Sequence, residues 1–370
     1  MTRGLCGPAL DLPSAEFEGR TKRLCAELKR ERLDAILVAT EVNRYYLTGL
    51  HASNGLLLAQ RRQPPAFYTD FRYLVMARRH LTFMPLKKLW RPADEPGVMS
   101  CLGKAWRRVG YEGQMDAARF NGLREALPKV EWVDIGKRLA AMRSVKSPAE
   151  QRVVRAAVAA NDRLFGEVLG LISPGMSEWD IRHCVRAGAD RLGQGEAFDT
   201  IACVGRNAAE CHHHPDMTEL KRGQPLLLDL GVKWDHYCSD MTRSVFFGSP
   251  TPLYREIHAI VLEANRKAVR AIKPGRRCDE IDAIARRHIE KAGYGDCFGH
   301  GLGHSLGLEI HESPNFSASC KTELEPGMVL TVEPGIYLPG RLGIRIEDVV
   351  LVTRGGCEVL SQTPRWLTSA

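Results

Sequence analysis

Four acidic residues stand where acids are costly. Asp229 interrupts the strand-like segment Leu226 to Val232, and Glu333 follows the apolar run Met328 to Val332. Asp240 and Glu347 enter the strand-like segments Ser239 to Phe247 and Ile344 to Val352. Carboxylates embedded in such segments are expensive to bury unless they are paired or coordinate a cation, and no matching set of basic residues accompanies them. Between the two acid pairs lies HGLGHSLGLEIHESP, residues 300 to 314, which places His300, His304 and His311 in a glycine-dense loop. Oxygen-rich ligation with one nitrogen suits a pair of Mn, Co, Fe or Zn ions bridged by carboxylates, rather than a lone structural zinc. Such a pair activates water and polarises a carbonyl, so hydrolysis is the chemistry these residue types point to. Taken singly, each acid reads as a solvated or capping residue; the set is what carries the expectation.

The elements that must position these residues repeat along the chain. Ile172-Ser173-Pro174-Gly175 followed by Ile181 is matched by Ile272-Lys273-Pro274-Gly275 followed by Ile281, and each copy follows one helix-like stretch and opens another. Gly223, Leu226, Asp229 and Gly231 share their spacing with Gly327, Leu330, Glu333 and Gly335. Each half reads helix, Pro-Gly turn, helix, strand, strand, a period far too long for a solenoid of short repeats. Two similar α/β halves are expected, each contributing an acidic hairpin in which opposed residues share a face. The first hairpin turns within Lys233 to Tyr237 and the second at Pro339-Gly340.

Upstream, helix-like and strand-like segments alternate: Ser14 to Arg32, Ala35 to Ala39, Gly55 to Ala59, Ala66 to Thr69, Tyr73 to Arg79 and Val130 to Val133. Alternation of this kind predicts a separate α/β domain. Asp134 to Lys146 reads as a connector, because Ser147-Pro148-Ala149-Glu150 combines a capping serine, a proline fit for the first turn and a glutamate that closes a capping box. Two domains are expected, residues 1–140 and 141–370, in keeping with a length of 370 residues and 44% hydrophobic content.

Composition narrows the class. Met1 to Pro13 does not resemble a secretory signal, and no uncharged apolar run approaches membrane-spanning length. The eleven cysteines are scattered and lack any CxxC pair, so a reducing cytoplasm is expected. The formal charge of +8 is spread along helix-like stretches without a nucleic-acid signature, which favours solvated faces over a nucleic-acid partner.

The motifs DLG (229–231), SDMTR (239–243), HGLGHSLGLEIHE (300–312), VEPGIY (332–337) and RIED (345–348) resemble the M24 metallopeptidases, in the order of the branch that contains aminopeptidase P and prolidase. NRYYLTG (43–49) and TDFRY (69–73) are similar to the creatinase-type N-terminal domain. The resemblance implies a creatinase-like α/β domain followed by a pita-bread catalytic domain of duplicated ααββ halves. It implies that Asp229 binds one metal, His304 and Glu333 the other, and that Asp240 and Glu347 bridge both, with Mn the expected ion. His304 rather than His300 is the implied ligand because it lies seven residues before His311. Glu333 is implied to move the proton to the departing proline nitrogen, and His212, in GRNAAECH, and His311 to support the oxyanion. His300 and Arg345 are expected to face the substrate, although Arg345 could equally neutralise the carboxylates. His213 and His214 are expected on the surface or along the substrate path, and Cys238 in packing.

The implied activity is removal of the first residue from Xaa-Pro peptides. The alternative is a prolidase restricted to dipeptides. Some prolidases hold the dipeptide carboxylate with an arginine four residues after the HE histidine, where this chain has Asn315. Creatinase-like enzymes and pita-bread binding modules lose acidic ligands that this chain keeps, and methionine aminopeptidase lacks the second histidine of HGLGH. A homodimer is expected from the resemblance.

Overall fold

The computed structural model describes residues 12 to 89 and 91 to 369. The reading of Met1 to Pro13 as free of a secretory signal therefore falls, through Asp11, outside the described residues. Contacts divide the chain into two compact units between Arg143 and Ser144.

The first unit runs α1 (Ser14–Arg30), β1 (Ala35–Val38), α2 (Glu41–Thr48), β2 (Leu56–Gln60), β3 (Gln63–Thr69), α3 (Leu74–His80), β4 (Leu86–Lys88), α4 (Glu95–Leu102), β5 (Arg108–Tyr111), α5 (Ala117–Ala126), β6 (Glu131–Asp134) and α6 (Gly136–Ser144). Its sheet has the order β4-β3-β2-β1-β5-β6, with an antiparallel meander β1-β2-β3 flanked by parallel pairings. Leu37, Leu58, Val109 and Leu123 are buried in its core. The expected connector Asp134 to Lys146 is instead largely helix α6. Ile135 and Leu139 are buried but flanked by Lys137 and Arg138, a stripe too thin to read as a period of 3.6.

The second unit contains α7 (Pro148–Leu171), α8 (Glu178–Leu192), β7 (Ile201–Val204), β8 (Gln224–Leu230), β9 (Lys233–Trp234), β10 (Tyr237–Cys238), β11 (Met241–Phe247), α9 (Pro252–Ala271), α10 (Cys278–Lys291), β12 (Gly303–Ser305), β13 (Glu312–Phe316), β14 (Val329–Val332), β15 (Gly335–Leu338), β16 (Leu342–Arg345), β17 (Asp348–Val352), β18 (Cys357–Val359) and β19 (Leu367–Ser369). Helix α7 starts on the expected capping box, Ser147 Oγ accepting from the Glu150 amide and the Glu150 carboxylate accepting from the Ser147 amide.

The internal repeat is present in the backbone. Sheet β19-β11-β8-β7 packs against α7 and α8 through Leu164, Val185, Leu226 and Val245, and sheet β13-β12-β14-β17-β18 packs against α9 and α10 through Val261, Ile281, Leu330 and Val350. Gly175 and Gly275 close the two Pro-Gly turns at φ +99° and +80°, each donating its amide to a leucine carbonyl, Leu220 and Leu324. Those positive φ values favour glycine. Asn161 of α7 donates to the Leu230 carbonyl, and Asn265 of α9 donates to the Val332 carbonyl, so each half ties its first helix to its first acidic strand.

Both hairpins carry more structure than the sequence pattern suggests. Between β8 and β11 the chain inserts the small β9–β10 ribbon, whose turn residues Asp235 and His236 both have positive φ. Between β14 and β17 it inserts the ribbon β15–β16 with Gly340 at φ +70°. The expected single strand Ile344 to Val352 is therefore two strands, and Ile346-Glu347 is the break that lets Glu347 leave the ladder. No helix among the described residues is long and apolar enough to cross a membrane.

Candidate functional site

The acids converge because of register. In the first half Asp229 lies opposite Thr242, so Asp240 sits just beyond the end of β11, across from the end of β8. In the second half Val332 pairs with Asp348, which puts Glu333 and Glu347 side by side just past β14 and just before β17. All four line one cavity of about 690 Å3, together with His300, His304, His311, His212 and Arg345. Asp229, Asp240 and Glu347 are 8%, 5% and 2% exposed, whereas His212 and His311 are open to the cavity.

His304 faces the acids directly, with Nε2 3.6 Å from Asp240 Oδ2 and 3.3 Å from Glu333 Oε1. Its Nδ1 is 3.2 Å from the Ser305 carbonyl, an arrangement in which the Nδ1 proton is donated and Nε2 carries a lone pair. Burial, aided by nearby His311, pulls its pKa down to about 4, so the ring is neutral at neutral pH. A neutral ring then aims a lone pair at two acids. That geometry is repulsive unless a cation or proton lies between them.

The acids point the same way. Burial, followed by the charges of Glu347, Asp229 and Glu333, holds the Asp240 carboxyl well above the ordinary carboxylate range. Burial, followed by Glu333 and Asp229, does the same for Glu347. Burial also pushes Glu333 up to about 7, against the opposing Arg345 charge. Arg345 is the guanidinium placed among them: Nη2 donates to Asp229 Oδ2 at 2.6 Å, Nε to Thr242 Oγ1 at 2.9 Å and Nη1 to the Tyr337 hydroxyl at 3.0 Å. Thr242 in turn donates to Glu347 Oε2 at 2.7 Å. Asp229 Oδ1 remains buried with no hydrogen-bond partner. One guanidinium against four carboxylates, an orphaned carboxylate oxygen and an available imidazole lone pair together fit divalent cations.

Of the expected substrate-facing groups, His300 lines the cavity. Its Nδ1 lies 2.7 Å from the Gly301 carbonyl and its Nε2 2.9 Å from the Tyr337 hydroxyl. Burial, then the Arg345 charge, lowers its pKa to about 4. Arg345 also lines the cavity, but its donors are engaged by Asp229, Thr242, Tyr337 and the Cys211 carbonyl, which is the neutralising arrangement. Cys238 is buried, and burial pushes its thiol up to about 12.

His213 differs from a surface residue. Its Nε2 is 2.8 Å from Glu178 Oε2 in a part-buried pair. Glu178, His213 and Asp216 lie close enough to hold an ion. The Glu178 oxygens are already occupied, however, accepting from the Val204 and Asp216 amides and from Asn207 Nδ2. This cluster anchors the loop that carries His212. Tyr337, Thr242, Glu178 and Arg182 were not singled out from the sequence. Thr242 alone had a readable signal, since it lies two strand residues from Asp240.

Similarity to known proteins agrees with this geometry. Residues 152–354 match the family model of metallopeptidase family M24, and residues 20–145 match the creatinase/prolidase N-terminal domain. The Xaa-Pro dipeptidase of Pyrococcus furiosus is 34% identical over 94% of this chain and 99% of its own length. A solved structure described as an Xaa-Pro dipeptidase from Bacillus anthracis superposes with a TM-score of 0.90 at 32% identity, covering 96% of this chain and all of the other. An X-Pro aminopeptidase from Thermotoga maritima superposes at 0.86 and 31% identity, over 94% and 99% of the two chains. With that family match over more than half its length, joined to a buried set of acids fit for divalent ions, the chain belongs to metallopeptidase family M24.

Proposed function

We propose that this chain hydrolyses the bond between a first residue and proline, releasing the N-terminal residue in the manner of aminopeptidase P. Asp229, Asp240, His304, Glu333 and Glu347 would hold two divalent ions, Mn being the ion we expect. The observation that carries this reading is the pairing of the His304 lone pair with acids held in a cavity where Arg345 is the guanidinium bonded to Asp229. Bound there, the ions supply an activated water and polarise the scissile carbonyl.

The protein's own groups do the rest. Glu333, a carboxyl facing the cavity beside His304, is placed to take a proton and deliver it to the departing proline nitrogen. His212 and His311, open to the cavity, support the developing oxyanion. His300 is held by Gly301 and Tyr337 where it can contact the peptide. Arg345 fixes Asp229 and, through Thr242, Glu347.

Peptide length separates two readings. Asn315 lines the cavity where some prolidases carry a carboxylate-binding arginine, which favours longer peptides. The relatives described as Xaa-Pro dipeptidases favour a dipeptide substrate. Arg182 supports that second reading: it lines the same cavity, pairs with Asp199 at 2.9 Å and keeps a buried Nε without a partner. Kinetics on an Xaa-Pro dipeptide beside an Xaa-Pro tripeptide, with Mn2+ and after chelation, test the proposal. Faster turnover of the tripeptide supports the aminopeptidase reading, turnover of the dipeptide alone supports prolidase, and cleavage undiminished by metal removal contradicts both. A homodimer is part of the proposal, and a monomeric mass in solution would contradict that part.

A further inference from the structure

Lys146 is among the most deeply buried cations of the second unit, 2% exposed, and besides the Ser144 carbonyl its ammonium meets two side chains more than 150 residues away. Its Nζ is 3.1 Å from Glu312 Oε2, a pair whose side chains are 1% and 3% exposed, and it donates to Ser305 Oγ at 3.2 Å. Ser305 and Glu312 are partners across β12 and β13, at a bulge between His304 and Ser305. Each is the chain neighbour of a site histidine: Ser305 follows His304, and Glu312 follows His311. The two imidazoles meet edge to face at 4.4 Å. The ammonium therefore grips the hairpin directly behind both rings.

The surrounding backbone is built for that grip. The Ser305 hydroxyl donates to the Val329 carbonyl on β14, so Lys146 is tied to the strand that leads to Glu333. The Lys146 amide donates to the Gly327 carbonyl, which fixes the lysine's root beside the same strand. Glu312 Oε1 accepts from the Glu309 amide, holding the turn between the histidines. A Cβ on Gly307 would meet Glu312 Oε2 at 2.8 Å, so the loop comes close to the carboxylate only because position 307 is glycine. A buried ion pair is a poor source of stability, since desolvation offsets most of its attraction. Its use is to fix one geometry.

We propose that Lys146 is a positioning residue for the two-metal centre: by clamping Ser305 and Glu312 it sets the β12–β13 bulge and with it the aim of His304 and His311. The proposal rests on the functional reading above. Groups standing behind metal ligands influence affinity by about 10- to 100-fold when removed.

Lys146→Met strips the ammonium but leaves Glu312 buried and charged. The decisive variant is therefore Lys146→Met with Glu312→Gln, which removes both charges. It is compared with Leu164→Ala, a core truncation in the other half that lowers stability without approaching the hairpin. Mn2+ titration of each metal-free protein reads the site without depending on turnover, and the thermal midpoint reads the fold. The expected result is a double variant at least as stable as Leu164→Ala whose weaker Mn2+ site has lost about tenfold or more in affinity. At saturating Mn2+ its kcat on an Xaa-Pro peptide falls while KM stays within about twofold. Mn2+ affinity and kcat equal to those of Leu164→Ala would overturn the proposal, leaving the pair a packing element. Should the double variant not fold, Ser305→Ala severs the clamp at one end only, and a loss of about threefold in Mn2+ affinity with an unchanged midpoint is expected. Unchanged affinity there would equally overturn it. If no variant of the chain, wild type included, cleaves Xaa-Pro peptides, the functional reading fails while the Mn2+ titration still judges the clamp.

Discussion

The two halves of the second unit share a backbone plan and differ at one edge strand. In the first half β7 borders β8, with Val204 opposite Leu226; in the second β12 borders β14, with Ser305 opposite Leu330. Leu226 and Leu330 are matched positions of the repeat, so His304 occupies the place that Cys203 holds in the first half. Cys203 is 1% exposed, packed with Ala208, Leu227 and Tyr337, and burial drives its thiol far above the ordinary range. One edge strand supplies packing and the other supplies a ligand. A duplicated scaffold can place carboxylates symmetrically, yet the imidazole, its clamp and its glycine-rich loop belong to one copy.

The largest effect should come from the acids both halves contribute. Asp240→Asn removes a carboxyl whose pKa burial and the neighbouring acids Glu347, Asp229 and Glu333 hold well above the ordinary range in the metal-free protein. Activity should fall by about 10^3-fold or more, while the thermal midpoint of the metal-free protein stays level or rises. A variant that loses both activity and metal-free stability would mean that Asp240 is structural.

Next come the matched edge positions. His304→Ala should abolish one metal site and most of the activity with little change in the metal-free midpoint. Cys203→Ala should instead cost about 1 kcal/mol of stability, as small buried truncations do, and keep turnover. Metal titration beside thermal melting separates the two outcomes, and equal behaviour of the two variants would dissolve the asymmetry.

Asn161 and Asn265 test the shared plan. Each anchors its half through a buried side-chain amide to a strand carbonyl, and each keeps its Oδ1 buried without a partner. Substitution by alanine should cost about 1 to 3 kcal/mol in either half, the range expected when a buried acceptor loses its donor. Denaturant melts would read this, and a large loss in one half alone would break the equivalence.

The smallest effect concerns pH. His258 on α9 is fully buried and its Nε2 donates to the Arg365 carbonyl 2.9 Å away. Burial lowers its pKa to about 4 from an ordinary 6.5. A depressed folded pKa means its contribution is present above about pH 6.5 and lost as pH falls through 4. His258→Val should flatten the acid limb of the stability profile between those values, and an unchanged limb would assign the acid sensitivity elsewhere.

Much of this arrangement was legible in the sequence because it is written in local patterns. The acids interrupt apolar runs, the Pro-Gly turns recur, and the capping box at Ser147 is contained within four residues. Contacts between remote segments were not. Lys146 meets Ser305 and Glu312 across more than 150 residues of chain, and Glu178 meets His213 only because its helix start faces the 205–218 loop. Glu347 was read inside a continuous strand since Ile344 and Ile346 precede it and the apolar run Val349 to Val352 follows it. The ladder breaks there because an acid must turn into the cavity, which is a tertiary demand with no mark in the local pattern.

The most direct test of the account is a metal count tied to turnover. Metal-free protein should be titrated with Mn2+ while bound ions per chain and Xaa-Pro cleavage are followed together. Two ions per chain are predicted, with cleavage rising as the pair fills and vanishing on chelation. Full cleavage with one ion per chain, or with none, would contradict a centre assembled from both halves.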